Sequence, residues 1–140
     1  MMTIAQDKIL YTGRTRTTGG RSGAARSDDG RLDIALTRFG TAGPGTNPEQ
    51  LFAAGWSACF MGAMARAAQA RGVALPAELA VDAEVDLLQG ADGFALAARL
   101  KVSVPGVAHD TALAIVEDAH QLCPYSKATR GNIEVALSVA

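Results

Sequence analysis

The stretch "PEQLFAAGWSACFMGAMARAAQA", residues 48–70, determines how the chain can fold. Asn47 before it suits a helix N-cap, Pro48 suits the first helical position, and Gln50 stands where a capping-box partner would. These signals predict a helix from Pro48 to Ala70 that ends near Gly72. A helix that is apolar all round is a buried helix, and one domain of this size can hardly surround it, so we expect a second subunit to cover part of it. Its large apolar side chains are spread over most of the circumference: Leu51, Phe52, Trp56, Phe60, Met61 and Met64.

Alternating apolar residues on both sides of this helix predict strands. We expect a strand from Lys8 to about Thr17, a turn at Gly19 and Gly20, and a strand within residues 31–36 after a turn at residues 28–30. Residues 78–88 and 94–104 read as an antiparallel hairpin, residues 107–122 as a second helix and residues 132–139 as a last strand. The order β-β-β-α-β-β-α-β predicts an α+β fold, in one domain of residues 1–140.

Composition and charge narrow the classes of function. Of 140 residues, 49% are hydrophobic and only 5% aromatic, so the core must be built from small side chains. The 13 basic and 14 acidic residues create no field that would recruit nucleic acid or an anionic membrane. The beginning "MMTIAQDKIL" does not resemble a signal peptide, and the apolar run at residues 51–65 is too short to span a bilayer. We therefore expect a cytoplasmic protein, in which a permanent disulfide would be unusual.

Two cysteines are the candidates for chemistry. Cys59 lies within the apolar helix, where it could be an inert buried thiol or a nucleophile, and burial would raise its pKa. Cys123 follows the second helix and precedes Pro124, so we expect an irregular, accessible position that suits either a mobile thiol or simple packing. The 64-residue separation fits no zinc motif, and His109 and His120 read as surface or helix-end residues, so we expect no metal site.

Three motifs carry a resemblance to a known family. "GTNPEQLFAAGWSACF" at residues 45–60, "CPYSKATRGNIEV" at residues 123–135 and "TTGGR" at residues 17–21 resemble the organic hydroperoxide resistance (Ohr) family of the OsmC-like superfamily. The likeness covers nearly the whole chain, and the motif around Cys123 resembles Ohr rather than the OsmC branch. Trp56 stands where tyrosine would often be expected.

The resemblance implies a thiol peroxidase that reduces alkyl and fatty-acid hydroperoxides to alcohols. It implies an intertwined homodimer with antiparallel sheets wrapped around central helices and active sites at the subunit interface. Matched by position, Cys59 would be the peroxidatic cysteine, Cys123 the resolving one, Arg21 the activating cation and Glu49 the group that orients Arg21. No bound cofactor is implied, and the expected reductant is a dihydrolipoyl group on a lipoylated protein.

Elementary chemistry agrees with these roles. Arg21 cannot lose its proton and would favour a thiolate at Cys59, while Glu49 could fix the direction of the guanidinium. Glu49 and Cys59 are ten residues apart, which is about 15 Å along a straight helix. Either Arg21 spans this distance or the helix breaks between the two residues, and Gly55 is the candidate position for a break. Apolar side chains would select alkyl hydroperoxides, and the expected substrate pocket consists of Phe52, Trp56, Phe60 and Tyr125.

Other functions fit the same sequence. An OsmC-branch peroxidase would share this chemistry and accept a broader range of substrates. A non-enzymatic dimer could bind an apolar ligand between its helices, with the cysteines incidental. A thiol–disulfide oxidoreductase is disfavoured, because the chain has no CxxC motif.

Overall fold

The computed structural model describes residues 7–140, and their contacts group into two compact units, one ending at Asn47 and one comprising Pro48–Ala140. The assignment of one domain to residues 1–140 stays a prediction. Residues 1–6, which contribute to the expectation that the chain has no signal peptide, lie outside the described part. Along residues 7–140, no helix combines the length and the apolar character that a membrane crossing requires.

The first unit contains a small antiparallel sheet. Its strands are β1 (Thr15–Thr18), β2 (Ala24–Ser27) and β3 (Asp33–Ala35), in that order across the sheet. Gly23 follows the turn between β1 and β2, where an added Cβ would lie 1.8 Å from the carbonyl oxygen of Thr18, so no larger residue fits.

The strand expected from Lys8 is wrong over most of its length, because residues 8–14 have no regular structure. The partner strand β2 ends at Ser27, and the chain then turns, so β1 has nothing further to pair with beyond Thr15. The backbone N–H of Asp28 donates to the carbonyl of Arg14 (3.2 Å), which closes the sheet at this end.

The second unit begins with helix α1 (Pro48–Ala70), whose bounds are those predicted. The helix runs through Gly55 without interruption, so the alternative of a break at that residue is wrong. Gly55 instead faces the Tyr125 ring, where an added Cβ would lie 3.4 Å from the hydroxyl oxygen. One glycine costs about 1 kcal/mol relative to alanine, which a helix of 23 residues tolerates.

The predicted hairpin is confirmed as β4 (Ala80–Gly90) and β5 (Gly93–Ser103). The last strand, β6 (Glu134–Val139), pairs with β5 in parallel, so this sheet is mixed rather than wholly antiparallel as expected. A parallel partner is possible because α2 and α3 carry the chain back across the sheet before β6 begins. One face of the sheet is apolar, and the other carries ion pairs from Arg99 to Glu84 and Asp86, each at 2.8 Å.

Two helices follow the hairpin where one was predicted. Helix α2 (His109–Leu122) agrees with the expected helix, whereas the short helix α3 (Pro124–Thr129) was not predicted. Cys123 connects them, and its expected irregular, accessible position is wrong, because its side chain has no exposed surface. Its N–H donates to the Ala119 carbonyl (2.8 Å) and its carbonyl accepts from the Lys127 N–H (2.9 Å), so both helices hold its backbone.

The core of the second unit lies between α1, α2 and the apolar face of the sheet. Its largest fully buried side chains are Trp56, Phe60, Met64, Leu100, Val102, Ile115 and Val116. Burial of α1 within the single chain is one-sided, as expected for a helix that one domain of this size cannot surround, and its cover by a second subunit stays a prediction. In the middle of α1, the residues that stay exposed on the other side are small: Ala54, Ala58, Gly62 and Ala65.

Candidate functional site

The two cysteines of the chain meet in the second unit. Cys59 Sγ and Cys123 Sγ lie 3.3 Å apart, and the Cys123 thiol is placed to donate a weak hydrogen bond. Helix α1 supplies Cys59 from its middle, and the junction of α2 and α3 supplies Cys123. Both are free thiols. A separation of about 3–3.5 Å is that of reacting atoms held ready for bond formation, so this pair can become a disulfide with little movement.

The two thiols differ in accessibility. Cys59 is half-buried, whereas Cys123 is completely buried. An oxidant arriving from solvent therefore meets Cys59 first, and Cys123 is in place to react second. This order agrees with the roles that the resemblance implies for the two residues, which stay predictions.

The surroundings of Cys59 act on its pKa in both directions. Burial raises the pKa of the Cys59 thiol above its usual value, and the adjacent Cys123 thiol raises it further. The backbone N–H of Tyr125, in the first turn of α3, hydrogen-bonds the sulfur and lowers the pKa. The net effect of these groups is a raised pKa, so a reactive thiolate requires a positive charge from elsewhere.

Aromatic rings gather beside the cysteines. The Phe52 ring centroid is 5.4 Å from that of Trp56 and 6.1 Å from that of Tyr125, and the Phe52 and Tyr125 ring planes are inclined by 27°. Tyr125 is 41% exposed and Phe52 half-buried, so these two rings reach the surface. Trp56 and Phe60 are fully buried, so within this single chain they contribute to the core rather than to an open wall. The assignment of all four to a substrate pocket stays a prediction.

Arg21 and Glu49 belong to different units. Arg21 is half-buried within a short 3₁₀ turn, Gly20–Ser22, which follows Gly19 in the left-handed conformation (φ 72°). Glu49 is half-buried in the first turn of α1, where the positive end of the helix dipole stabilises a carboxylate. Because α1 is continuous, Glu49 and Cys59 are separated by about 15 Å along the helix and do not touch. The proposed action of Arg21 on Cys59 stays a prediction.

The two histidines differ from each other. His109 is exposed at the first position of α2, as expected, but His120 is half-buried near its end. The His120 Nδ1 is buried and finds no hydrogen-bond partner within residues 7–140. Burial lowers the pKa of His120, and the charge of Arg130, whose side chain donates to the His120 carbonyl, lowers it further. Over the same residues, no group of three or more metal-binding side chains comes together.

One polar residue of the site was not predicted from the sequence. Ser126 is completely buried in α3, and its Oγ accepts a hydrogen bond from Trp56 Nε1 at 3.1 Å. The feature of the sequence that could have pointed to this contact is the spacing from the cysteines: Ser126 lies three residues after Cys123, and Trp56 lies three residues before Cys59. Without knowledge that the two cysteines meet, nothing in the sequence connects these two residues.

Comparisons with known proteins identify the fold and then the family. The family described as OsmC-like protein matches residues 40–138. An organic hydroperoxide resistance protein of Xanthomonas axonopodis pv. citri (strain 306) is 46% identical over 138 residues, which are 96% of this chain and 97% of that protein.

Solved structures agree with this match. The crystal structure of OhrB of Bacillus subtilis has a TM-score of 0.89 at 38% identity, covering 94% of this chain and 100% of that one. An organic hydroperoxide resistance protein of Vibrio cholerae, with captopril bound in one of its active sites, has a TM-score of 0.88 at 37% identity, covering 98% of this chain and 96% of that one. The chain therefore belongs to the organic hydroperoxide resistance family of OsmC-like proteins.

Proposed function

We propose that this protein is a cysteine-based peroxidase that reduces organic hydroperoxides, including alkyl and fatty-acid hydroperoxides, to alcohols. The observation that carries the proposal is the 3.3 Å separation of the Cys59 and Cys123 sulfurs, with Cys59 the more accessible. The names of the relatives, which are organic hydroperoxide resistance proteins, support the substrate class.

The proposed reaction has three steps. The Cys59 thiolate attacks the distal peroxide oxygen and breaks the O–O bond; the alkoxide takes a proton and leaves as alcohol, and Cys59 becomes a sulfenic acid. Cys123 then attacks the Cys59 sulfur, forming a disulfide and releasing water. An external dithiol returns both cysteines to thiols and is itself oxidised to a disulfide.

Arg21 and Glu49 have supporting roles in this proposal. The groups of the second unit raise the pKa of Cys59 on balance, so the reaction at neutral pH needs a cation near the sulfur. Arg21 is proposed as that cation, and Glu49 as the carboxylate that orients it, both by resemblance. A guanidinium can also donate hydrogen bonds to the peroxide and stabilise the departing alkoxide.

The choice of substrate is proposed to come from the apolar surroundings. Phe52 and Tyr125 reach the surface beside the cysteines and could contact an alkyl chain, whereas Trp56 and Phe60 would meet it only if the packing around them opens. Each buried methylene contributes about 0.8 kcal/mol, which hydrogen peroxide cannot gain. We therefore expect a bulky alkyl hydroperoxide to react much faster than hydrogen peroxide.

The assembly and the partners are also proposals. A homodimer with active sites at the interface is supported by the exposed side of α1, where the small residues Ala54, Ala58 and Ala65 would allow a second helix to approach closely. A dihydrolipoyl group on a lipoylated protein is the proposed reductant. A cytoplasmic location is proposed because the cycle needs a continuous supply of reductant.

Mass spectrometry tests the proposal directly. The reduced full-length protein is treated anaerobically with one equivalent of cumene hydroperoxide, and cysteines that remain free are trapped by alkylation. We expect the loss of two hydrogens, a crosslink between Cys59 and Cys123 and one equivalent of cumyl alcohol.

Two variants separate the steps. Cys59→Ser should form no alcohol, while Cys123→Ser should form one equivalent, carry a sulfenic acid at Cys59 and then stop. If both thiols of the wild-type protein stay free and no alcohol forms, the peroxidase proposal is wrong and a non-enzymatic apolar-ligand protein becomes the better explanation. Similar rates with hydrogen peroxide and cumene hydroperoxide would instead favour the broader OsmC-branch activity.

A further inference from the structure

The contact between Trp56 and Ser126 lies directly beside the reacting sulfurs. Trp56 precedes Cys59 by three residues on α1, and residues three apart share one face of a helix. Ser126 lies in the first turn of α3, three residues after Cys123, which caps that helix. Two contacts therefore join α1 to the junction of α2 and α3 side by side: sulfur to sulfur at 3.3 Å, and indole nitrogen to hydroxyl oxygen at 3.1 Å.

We propose that the hydrogen bond from Trp56 to Ser126 positions Cys123 against Cys59 and thereby controls how fast the disulfide closes. The inference rests on the proposed peroxidase function, and it makes Trp56 and Ser126 positioning residues for the second step. Neither residue needs to touch the peroxide oxygen for this role.

The location of the hydrogen bond gives it this influence. The Cys123 backbone is bonded to α2 through Ala119 and to α3 through Lys127, so the backbone that carries the Cys123 sulfur moves with the junction of these helices. The hydrogen bond fixes α3 to α1 close to that junction. Disulfide closure depends on holding the attacking sulfur near 3–3.5 Å, and small displacements reduce the rate steeply.

Burial makes the hydrogen bond between Trp56 and Ser126 hard to replace. Both Trp56 and Ser126 have no exposed surface, so water cannot take the place of either partner without opening the core. Two other contacts join α3 to α1 near this point. The Tyr125 ring lies against Phe52 and Gly55, an apolar contact that permits sliding. The Tyr125 backbone N–H hydrogen-bonds the Cys59 sulfur itself. The hydrogen bond from Trp56 to Ser126 is therefore the polar contact that does not involve a reacting atom. Removing the Ser126 hydroxyl leaves a buried indole N–H unpaired, so the helices must shift to relieve it.

The chain provides matched controls. Thr129 is also a buried hydroxyl residue of α3, but its Oγ1 bonds only to the carbonyls of Tyr125 (2.9 Å) and Ser126 (3.2 Å) within the same helix. Ser57 lies beside Trp56 on α1, and its Oγ donates to the Ala53 carbonyl of the same helix (2.8 Å). Thr129→Val and Ser57→Ala therefore remove hydroxyl hydrogen bonds without removing the connection between α1 and α3.

The experiment follows both steps in time in the full-length protein. Reduced protein is mixed with cumene hydroperoxide and quenched at intervals with dimedone and an alkylating reagent, and intact mass gives the thiol, sulfenic, sulfinic and disulfide forms. For Ser126→Ala we expect the rate of Cys59 oxidation to stay within about twofold, while disulfide closure slows about threefold to tenfold, the factor that one hydrogen bond can supply. Excess peroxide should then convert a correspondingly larger share of Cys59 to sulfinic acid.

The controls and a second variant decide the outcome. In Thr129→Val and Ser57→Ala, the disulfide should close at a rate within about twofold of wild type. The double variant that combines Trp56→Phe with Ser126→Ala should close its disulfide no more slowly than the slower of the two single variants, because the two residues are partners in one contact. Trp56→Phe alone serves if Ser126→Ala does not fold. Unchanged closure in the folded variant, or equal slowing by Thr129→Val, would overturn the positioning role. Absence of any crosslink in wild type would instead overturn the peroxidase function on which the role rests.

Discussion

Joining Cys59 to Cys123 should make the protein much harder to unfold. The two residues lie 64 positions apart, and a crosslink over such a loop removes enough entropy from the unfolded chain to raise the free energy of unfolding by about 4 kcal/mol. Because the sulfurs are already 3.3 Å apart in the thiol form, closure requires little strain in the folded protein. We expect an increase of about 2–4 kcal/mol, which for a chain of this size corresponds to a rise in Tm on the order of 10 °C.

The assay compares two redox forms of one protein. Thermal and urea unfolding are measured on reduced protein and on protein treated with one equivalent of cumene hydroperoxide, at one protein concentration because assembly would also affect Tm. Cys123→Ser, treated in the same way, controls for oxidation without a crosslink and should show no such rise. A confirmed crosslink with an unchanged or lower Tm would refute the reasoning, because closure would then distort the junction of α2 and α3.

Three further changes test other parts of the molecule. Arg21→Ala should shift the pH–rate profile of peroxide attack to higher pH and slow the reaction at pH 7 by about tenfold to a thousandfold; an unshifted profile in stopped-flow measurements would remove Arg21 from the site. The pKa of His120 is lowered in the folded protein, so the unfolded chain binds the proton first, and stability should decrease as pH falls below about 6.5. Urea unfolding at pH 7.5 and 5.5 should show a smaller decrease for His120→Gln than for wild type, and equal decreases would contradict this. Gly55→Ala should raise the free energy of unfolding by up to about 1 kcal/mol, because α1 is continuous and the added methyl would only contact Tyr125; a clear loss of stability by urea unfolding would argue against it.

Local signals account for the parts of the fold that the sequence predicted. Helix α1 has its predicted bounds because the residues that start and stop it, Asn47 with Pro48 and Gly72, act on their immediate neighbours. The β4–β5 hairpin was predicted because alternation over eleven residues on each side of a short turn permits one register. These elements, with the strands and helices on either side of them, confirm the α+β class.

The errors arise where the decisive partner is distant or the segment is short. Residues 8–14 alternate like a strand, but pairing depends on β2, which ends too early to reach them. Helix α3 has only six residues, too few to show a helical period, and Pro124 was interpreted as the stop of α2 although it also starts α3. This error made Cys123 look accessible, whereas the two helices that meet there enclose it.

The candidate site, like the fold, was predicted from the sequence only in part. From the residues alone, Cys59 and Cys123 were two thiols with open roles, and only the resemblance to a family implied that they work as a pair. The structure brings their sulfurs together, an arrangement that depends on α1 packing against a junction far along the chain. Ser126 escaped prediction for the same reason, since its partner Trp56 is 70 positions away.

The chemistry proposed for Cys59 conflicts with the packing that positions it. The close approach of Cys123 and the apolar core, which favour disulfide closure, both raise the pKa of Cys59, while the N–H of Tyr125 opposes them. A thiol with the ordinary pKa of about 8.5 is only about 3% ionised at pH 7, and a raised pKa leaves still less thiolate for attack. Fast disulfide closure therefore favours close, apolar packing around Cys59, whereas fast attack on the peroxide requires the Cys59 thiolate to be stabilised. Arg21, proposed as the activating cation, would resolve the conflict, because a permanent positive charge stabilises the thiolate electrostatically and would leave the sulfur–sulfur contact in place.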